Sequence, residues 1–271
     1  MDAAIKIIID PDKCSGCGRC VADCLYHVLA LQDGRAHVLS DDCLKCGHCL
    51  AVCPANAVSM EGLADDILEK SSAVNTLDAD VLREHLKLRR SIRHYRKTPV
   101  EKEKLVQVIE AGRLTPSGSN RQNVRYIVVQ SGLDALEDEV IAQYEELGEQ
   151  ARPSAGAETS APPSLAPLDT GIYKLERGVL FHGAPALILV VSENSTNACL
   201  AAMSMELMAE ALGLGTLYVG LFAKPASQNA SLRQELGLAP EENIAVCLAL
   251  GYPAVSYLRS APKKPARIVW R

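Results

Sequence analysis

Ala184–Val191 is the most apolar stretch of the chain, eight residues bounded by Gly183 and Ser192. That length between two breakers predicts a buried strand. Shorter apolar runs at Tyr126–Gln130, Thr216–Val219 and Ala245–Leu250 predict three more strands. Between them the spacing changes to a helical period at about 101–113, 133–147, 197–212 and 227–236, and Gly213 and Gly237 stand just past the last two, where helices end. Leu82, Leu86 and the Arg89-Arg90 pair share a further helix. Helices interleaved with strands predict a layered α/β domain. Nearer the start, Ile5–Ile9 and Ala36–Leu39 read as two short strands.

The pattern divides the chain of 271 residues into a small domain at 1–62, a polar linker at 63–78 and a larger domain at 79–271. The larger part is long enough to bury a full core. Within it, Glu149–Pro167 carries four prolines and five alanines and almost no large apolar side chains. It reads either as a surface insertion or as a lid over a substrate site. A net charge of -5 disfavours nucleic acid and anionic membrane as partners. No apolar run reaches the ~18 residues that span a bilayer. Met1-Asp2-Ala3-Ala4-Ile5-Lys6 lacks the basic start and apolar core of a secretory signal, so the expected location is the cytoplasm.

Cysteine changes the picture most. Eight of the ten fall within the first 53 residues, as Cys14-Cys17-Cys20-Cys24 and Cys43-Cys46-Cys49-Cys53, each spaced CxxCxxCxxxC. In such a run the first three thiolates hold one cubane and the fourth crosses to the other cluster. The expected ligand sets are therefore Cys14, Cys17, Cys20 and Cys53 on one 4Fe-4S cluster, and Cys43, Cys46, Cys49 and Cys24 on the other. A zinc site would leave surplus thiols in both repeats. A disulfide framework needs an oxidising compartment. Gly16, Gly18 and Gly47 let backbone amides approach the cluster sulfurs. Pro54 follows Cys53 as the bacterial pattern has it, whereas Leu25 takes that place after Cys24.

On these residues the first 60 or so positions resemble a bacterial-type two-cluster ferredoxin. With so little apolar core, this part is expected to unfold without iron.

A second constellation is Arg89-Arg90-Ser91-Ile92-Arg93, followed by Pro116-Ser117-Gly118-Ser119-Asn120-Arg121-Gln122. Three guanidiniums and a hydroxyl can grip a phosphate and an anionic ring edge, or simply form the solvated basic end of a helix. Farther on come Phe181-His182-Gly183-Ala184-Pro185, Gly213-Leu214-Gly215-Thr216 and Gly251-Tyr252-Pro253 with a basic tail. In that order, from about residue 80 to the end, these motifs resemble the FMN-dependent nitroreductase superfamily.

The resemblance implies a nitroreductase-like α/β (α+β) layered fold with a mixed sheet, and a homodimer. It also implies a set of FMN contacts. Arg89 and Ser91 match residues that hold the phosphate, Arg93 matches the cation at the pyrimidine edge, and Arg90 contributes through backbone and charge. Pro116, Ser117 and Gly118 match a turn reaching the flavin from the opposite subunit, which Asn120 and Gln122 fix. Val219 and Gly220 match the backbone beside N5 and O4, and Lys263 matches a phosphate-binding residue, with Arg259 or Lys264 as a second. His94 and His182 are left out of any catalytic set. Cys199 and Cys247 read as small buried hydrophobes.

Together these readings predict an FMN-dependent oxidoreductase. Its expected acceptor is a small electron-poor compound, a nitro compound or quinone, and an external low-potential donor feeds it through two 4Fe-4S clusters. Two other functions fit the same residues: an electron-transfer module serving a partner protein, and a reductase of activated C=C or carbon-halogen bonds. No GxGxxG follows a strand, so no Rossmann module is expected.

Overall fold

The computed structural model describes residues 5–62, 67–69, 77–150 and 176–271. Most of the 63–78 linker and nearly all of the 149–167 insertion lie outside them. The chain forms two compact units, the first Met1–Thr76 with Ser117–Arg121, the second Leu77–Pro116 with Gln122–Arg271. No described helix is long and apolar enough to cross a membrane.

Unit 1 is built as two interleaved halves. Strand β1 (Lys6–Ile9) pairs antiparallel with β4 (Val58–Glu61), and β2 (Leu29–Gln32) pairs with β3 (Arg35–Val38). Asp33 and Gly34 close the β2–β3 hairpin with φ of 50 and 76. Two successive left-handed residues are what a tight hairpin of matching twist requires, and Asp-Gly meets that need at low cost. Two single-turn helices, α1 (Arg19–Ala22) and α2 (His48–Ala51), each start from a left-handed glycine, Gly18 and Gly47. Among the described residues its small buried cluster is Val28, Leu29, Ala36, Val58 and the thiols of Cys20 and Cys49. Cysteine side chains are therefore part of the packing as well as candidate ligands.

Unit 2 holds a four-stranded sheet in the order β5 (Arg125–Val129), β6 (Ala186–Val191), β8 (Ile244–Gly251), β7 (Gly215–Tyr218). Strand β6 has no accessible surface at any of its six residues, because both faces are covered. Ala186, Ile188 and Val190 pack on Leu105 and Val108 of α4 (Lys102–Arg113) and on α6 (Ser195–Ala211). Leu187, Leu189 and Val191 pack on Leu136 and Val140 of α5 (Leu133–Gln150) and Phe222 and Ala226 of α7 (Gly220–Gln228). Alternate residues of a strand point to opposite faces, so a strand covered on both sides must be apolar throughout. Helix α6 meets the sheet with Ala198, Ala201, Ala202, Met205 and Ala209, small residues that allow a close approach. Its first turn is capped by Asn194, whose side chain accepts from Thr196 N at 2.9 Å.

Three expectations are corrected. Every pairing in the described sheet is antiparallel, so a mixed sheet is not seen among the described residues. Cys199 is exposed while Cys247 is buried; position 199 falls off the buried stripe of α6 that runs through 198, 201, 202, 205 and 209. Helix α7 precedes the expected helix, which is α8 (Ala230–Glu235), capped by the Asn229 side chain on Leu232 N at 3.1 Å. Pro225 inside α7 reads in sequence as a breaker. A proline N has no hydrogen for the carbonyl four residues back, that of Leu221. Tyr144 of α5 takes that place, its hydroxyl donating to Leu221 O at 3.0 Å.

Helix α3 (Ala79–Leu88), capped by Asp78, precedes the segment that carries the arginines. Ile92 N donates to Thr216 O at 2.9 Å, seating this segment beside β7. A Cβ on Gly215 would come within 2.2 Å of Ile92 Cγ1, so only glycine permits the approach.

Replacing Gly215 by Ala should therefore cost about 1–3 kcal/mol by overpacking, read as a lowered urea midpoint in far-UV circular dichroism. Tyr144→Phe should cost about 1 kcal/mol by orphaning the Leu221 carbonyl. In a Pro225→Ala background, where the helix supplies its own N–H, the same Tyr144 substitution should cost measurably less.

Candidate functional site

Unit 1 presents eight free thiols on two loops and the ends of two short helices. Cys14 follows a turn that Asp10 organises, its carboxylate accepting from Asp12 N at 2.9 Å and its carbonyl from Cys14 N at 3.0 Å. Cys20 and Cys49 sit inside α1 and α2 and are buried, Cys17 and Cys46 are exposed, and the other four are intermediate. Backbone N–H groups aim at several sulfurs, among them Ala36 N to Cys14 Sγ at 3.4 Å, Lys45 N to Cys43 Sγ at 3.2 Å, and Ala57 N to Cys53 Sγ at 3.3 Å. Such donors favour thiolate and the more negative forms of a bound cluster.

The thiols differ in acidity by position. The Arg19 N–H lowers Cys17 below its ordinary value. Burial raises Cys20, with Cys17 and Cys53 among its charged neighbours, and raises Cys49 to about 11, with Cys43 and Cys46 nearby. Cys53 and Cys49 of the second repeat thus both stand near Cys20 of the first. Among the described residues no three His, Cys, Asp or Glu side chains close on one metal ion. Cubane ligands bind separate irons and need no such convergence.

In unit 2 the site is organised by a buried charge. Glu206 of α6 is 3% exposed and accepts from Arg89 Nη1 at 2.7 Å. Thr216 Oγ1 donates to the same oxygen at 3.3 Å; burial, then the charge of Glu206, raises the pKa of the Tyr218 phenol. Arg89 is 26% exposed, a guanidinium whose fork reaches both core and surface. Ser91 follows it at intermediate burial, and Arg93 and His94 are exposed. Arg90 lies over the Tyr257 ring, 5.7 Å from its centroid. Arg259 and Lys263 follow on the exposed irregular tail.

Val219 is buried and caps α7, its N donating to Cys247 O at 2.8 Å. Gly220 opens that helix, and nothing lies within 4 Å of where its Cβ would be. A cavity of about 340 Å³ lined by Gly220, Lys224, Gln228 and Asn243 adjoins it. A larger concavity, about 670 Å³, lies in unit 1 beside Cys43, Asp41 and Asp42; it belongs to the cluster loop. His182 is left-handed, φ 53, and burial, then the charges of Arg93 and His94, hold its imidazole below the usual value.

The structure thus brings Arg89, Arg90, Ser91 and Arg93 into one segment beside β7, with Val219 and Gly220 at the start of α7. Pro116 and Gln122 belong to unit 2, whereas Ser117, Gly118 and Asn120 belong to unit 1. The Asn120 amide donates to the carbonyls of Leu44 and Lys45. Sequence reasoning missed Glu206, Thr216, Tyr218 and Tyr257. One signal was present for Glu206: a lone carboxylate in the apolar helix 198–209 has to find a cation.

Residues 6–61 match the 4Fe-4S dicluster domain. Among solved structures, the chain is similar to a nitroreductase with bound FMN from Desulfitobacterium hafniense, at 22% identity over 71% of this chain and 100% of that one, TM-score 0.53. It is also similar to a nitroreductase with bound FMN from Bacteroides fragilis, at 20% identity over 70% and 97%, TM-score 0.52. An FMN-dependent nitroreductase from Clostridium difficile is similar at 17% identity over 69% and 98%, TM-score 0.51. At these identities the likeness is one of fold. A comparison with curated proteins finds no match. Residues 86–252, more than half of the chain, match the nitroreductase family, and the chain belongs to that family.

Proposed function

We propose that this protein is an FMN-dependent oxidoreductase that reduces a small electron-poor acceptor, a nitro compound or quinone, with electrons from an external low-potential donor. The observation that carries the reading is the presence, in one chain, of eight free thiols in two cluster-binding repeats and, in the other unit, a guanidinium fixed by a buried carboxylate. Cys14, Cys17, Cys20 and Cys53 hold one 4Fe-4S cluster, and Cys43, Cys46, Cys49 and Cys24 hold the other. When bound, the clusters pass electrons singly and FMN accepts them singly and delivers a pair.

The chain's own residues do the positioning. Arg89, held by Glu206 through Nη1, has further donors for the FMN phosphate, with Ser91 beside it and Lys263 and Arg259 as further cations from the tail. Arg93 places positive charge at the pyrimidine edge, where it favours the reduced, anionic ring. The Val219–Gly220 backbone would line the ring's site, and the missing Cβ at Gly220, with nothing within 4 Å of its place, would leave room for an acceptor. Pro116, Ser117 and Gly118 complete the site across a homodimer, with Gln122 holding the turn. A reducing compartment, the cytoplasm, keeps the thiols available for iron.

Removing one exposed ligand from each cluster, Cys17→Ala with Cys46→Ala, should slow viologen-driven reduction of a nitroaromatic by more than about tenfold. Oxidation of chemically reduced FMN by the same acceptor should keep its rate; equal viologen rates with and without clusters would remove the relay. Arg93→Gln should lower the flavin midpoint potential, and Ser91→Ala should weaken FMN binding by about two- to tenfold, both read by spectroelectrochemistry and fluorescence titration of released flavin.

A further inference from the structure

The two cluster loops are copies in sequence and differ in how their backbone is held. In Cys14-Ser15-Gly16-Cys17 the third position is Gly16, left-handed at φ 67, and a Cβ there would lie 2.0 Å from the Gly34 carbonyl oxygen. In Cys43-Leu44-Lys45-Cys46 the same position is Lys45, also left-handed, at φ 55. Glycine adopts that region freely, whereas a residue with a side chain resists it. The second loop therefore needs support that the first does not.

Asn120 supplies it from outside the repeat. Its Nδ2 donates to Leu44 O at 3.2 Å and to Lys45 O at 2.9 Å, gripping two successive peptides of the loop. With the loop held this way, Lys45 N–H lies 3.2 Å from Cys43 Sγ. The matching sulfur of the first loop, Cys14 Sγ, takes its hydrogen bond from Ala36 N on β3 instead. Asn120 is itself held in an uncommon conformation. Ser119, Asn120 and Gln122 have φ of 53, 50 and 50, and Asn120 N donates to Ser117 O at 2.9 Å. Runs of left-handed residues persist only where surrounding contacts fix them, and they gather at functional positions. Asparagine is among the side chains that tolerate the region best.

We propose that Asn120 is a positioning residue for the cluster held by Cys43, Cys46, Cys49 and Cys24, keeping Lys45 N–H on Cys43 Sγ and so raising that cluster's reduction potential. N–H donors to a ligand sulfur stabilise the reduced, more negative cluster. Releasing the two carbonyls frees the Leu44–Lys45 peptides and weakens the donor. The cluster of the first repeat, whose loop has glycine at this position, does not depend on Asn120. The proposal rests on the ligand assignment given above, which the iron content of the unsubstituted protein checks separately; iron for fewer than two clusters would sink both.

Asn120→Gly and Asn120→Asp test it in the full-length holoprotein, since both residues accept the left-handed backbone and neither has the amide donor. Redox titration followed by electron paramagnetic resonance should show one cluster potential shifted downward and the other unchanged, with iron content retained. Should either variant prove less stable, loss of half its iron with the remaining cluster signal intact supports the proposal equally. Two unshifted potentials, two potentials shifted together, or loss of both clusters at once would overturn it.

Discussion

A carboxylate that is 3% exposed needs a cation beside it to offset its burial, and this constraint joins the core of unit 2 to its surface chemistry. Glu206 projects from the helix packed on the central strand, and Arg89 answers it from the segment that carries Ser91 and Arg93. Breaking such a pair by removing one partner costs about 3–5 kcal/mol, because the other charge is left buried. The guanidinium is thereby held in place before any ligand arrives. Anion recognition benefits from that preorganisation, since little side-chain freedom is lost on binding. Thr216 adds a hydrogen bond to the same carboxylate, and Ile92 N on Thr216 O secures the backbone between the two arginines.

Unit 1 solves a different problem. Its core is so small that Cys20 and Cys49 are among its buried members, and burial makes those thiols reluctant to ionise. Iron displaces the protons and turns a weak core into a cross-linked one, so that metal binding and folding share one free energy. Left-handed glycines before α1 and α2 give each repeat its sharp entry into the helix. At the third position of each loop the repeats part, glycine in one and a clamped lysine in the other.

The central architecture of unit 2 was legible because its period is unambiguous. An all-apolar run of strand length such as Leu187–Val191 has no amphipathic alternative, and Gly213 and Gly237 mark helix ends through their left-handed φ of 75 and 60. Helix α7 was hidden because Pro225 argues locally against a helix, and only the Tyr144 hydroxyl, 81 residues away in sequence, makes it tenable. Cys199 was misjudged for a related reason: in a helix apolar nearly all round, composition does not say which side faces the sheet.

By itself the sequence determined the cysteine spacing, the basic segment at 89–93 and the order of strands and helices, because each depends on neighbours within a few residues along the chain. Only the tertiary structure decided that Arg89 is held by Glu206, 117 residues on, and that Asn120 reaches back to the loop at Leu44 and Lys45. Hydrogen bonds between residues far apart in sequence leave no local pattern, since any arginine can meet any carboxylate and any asparagine any carbonyl until the packed chain selects one.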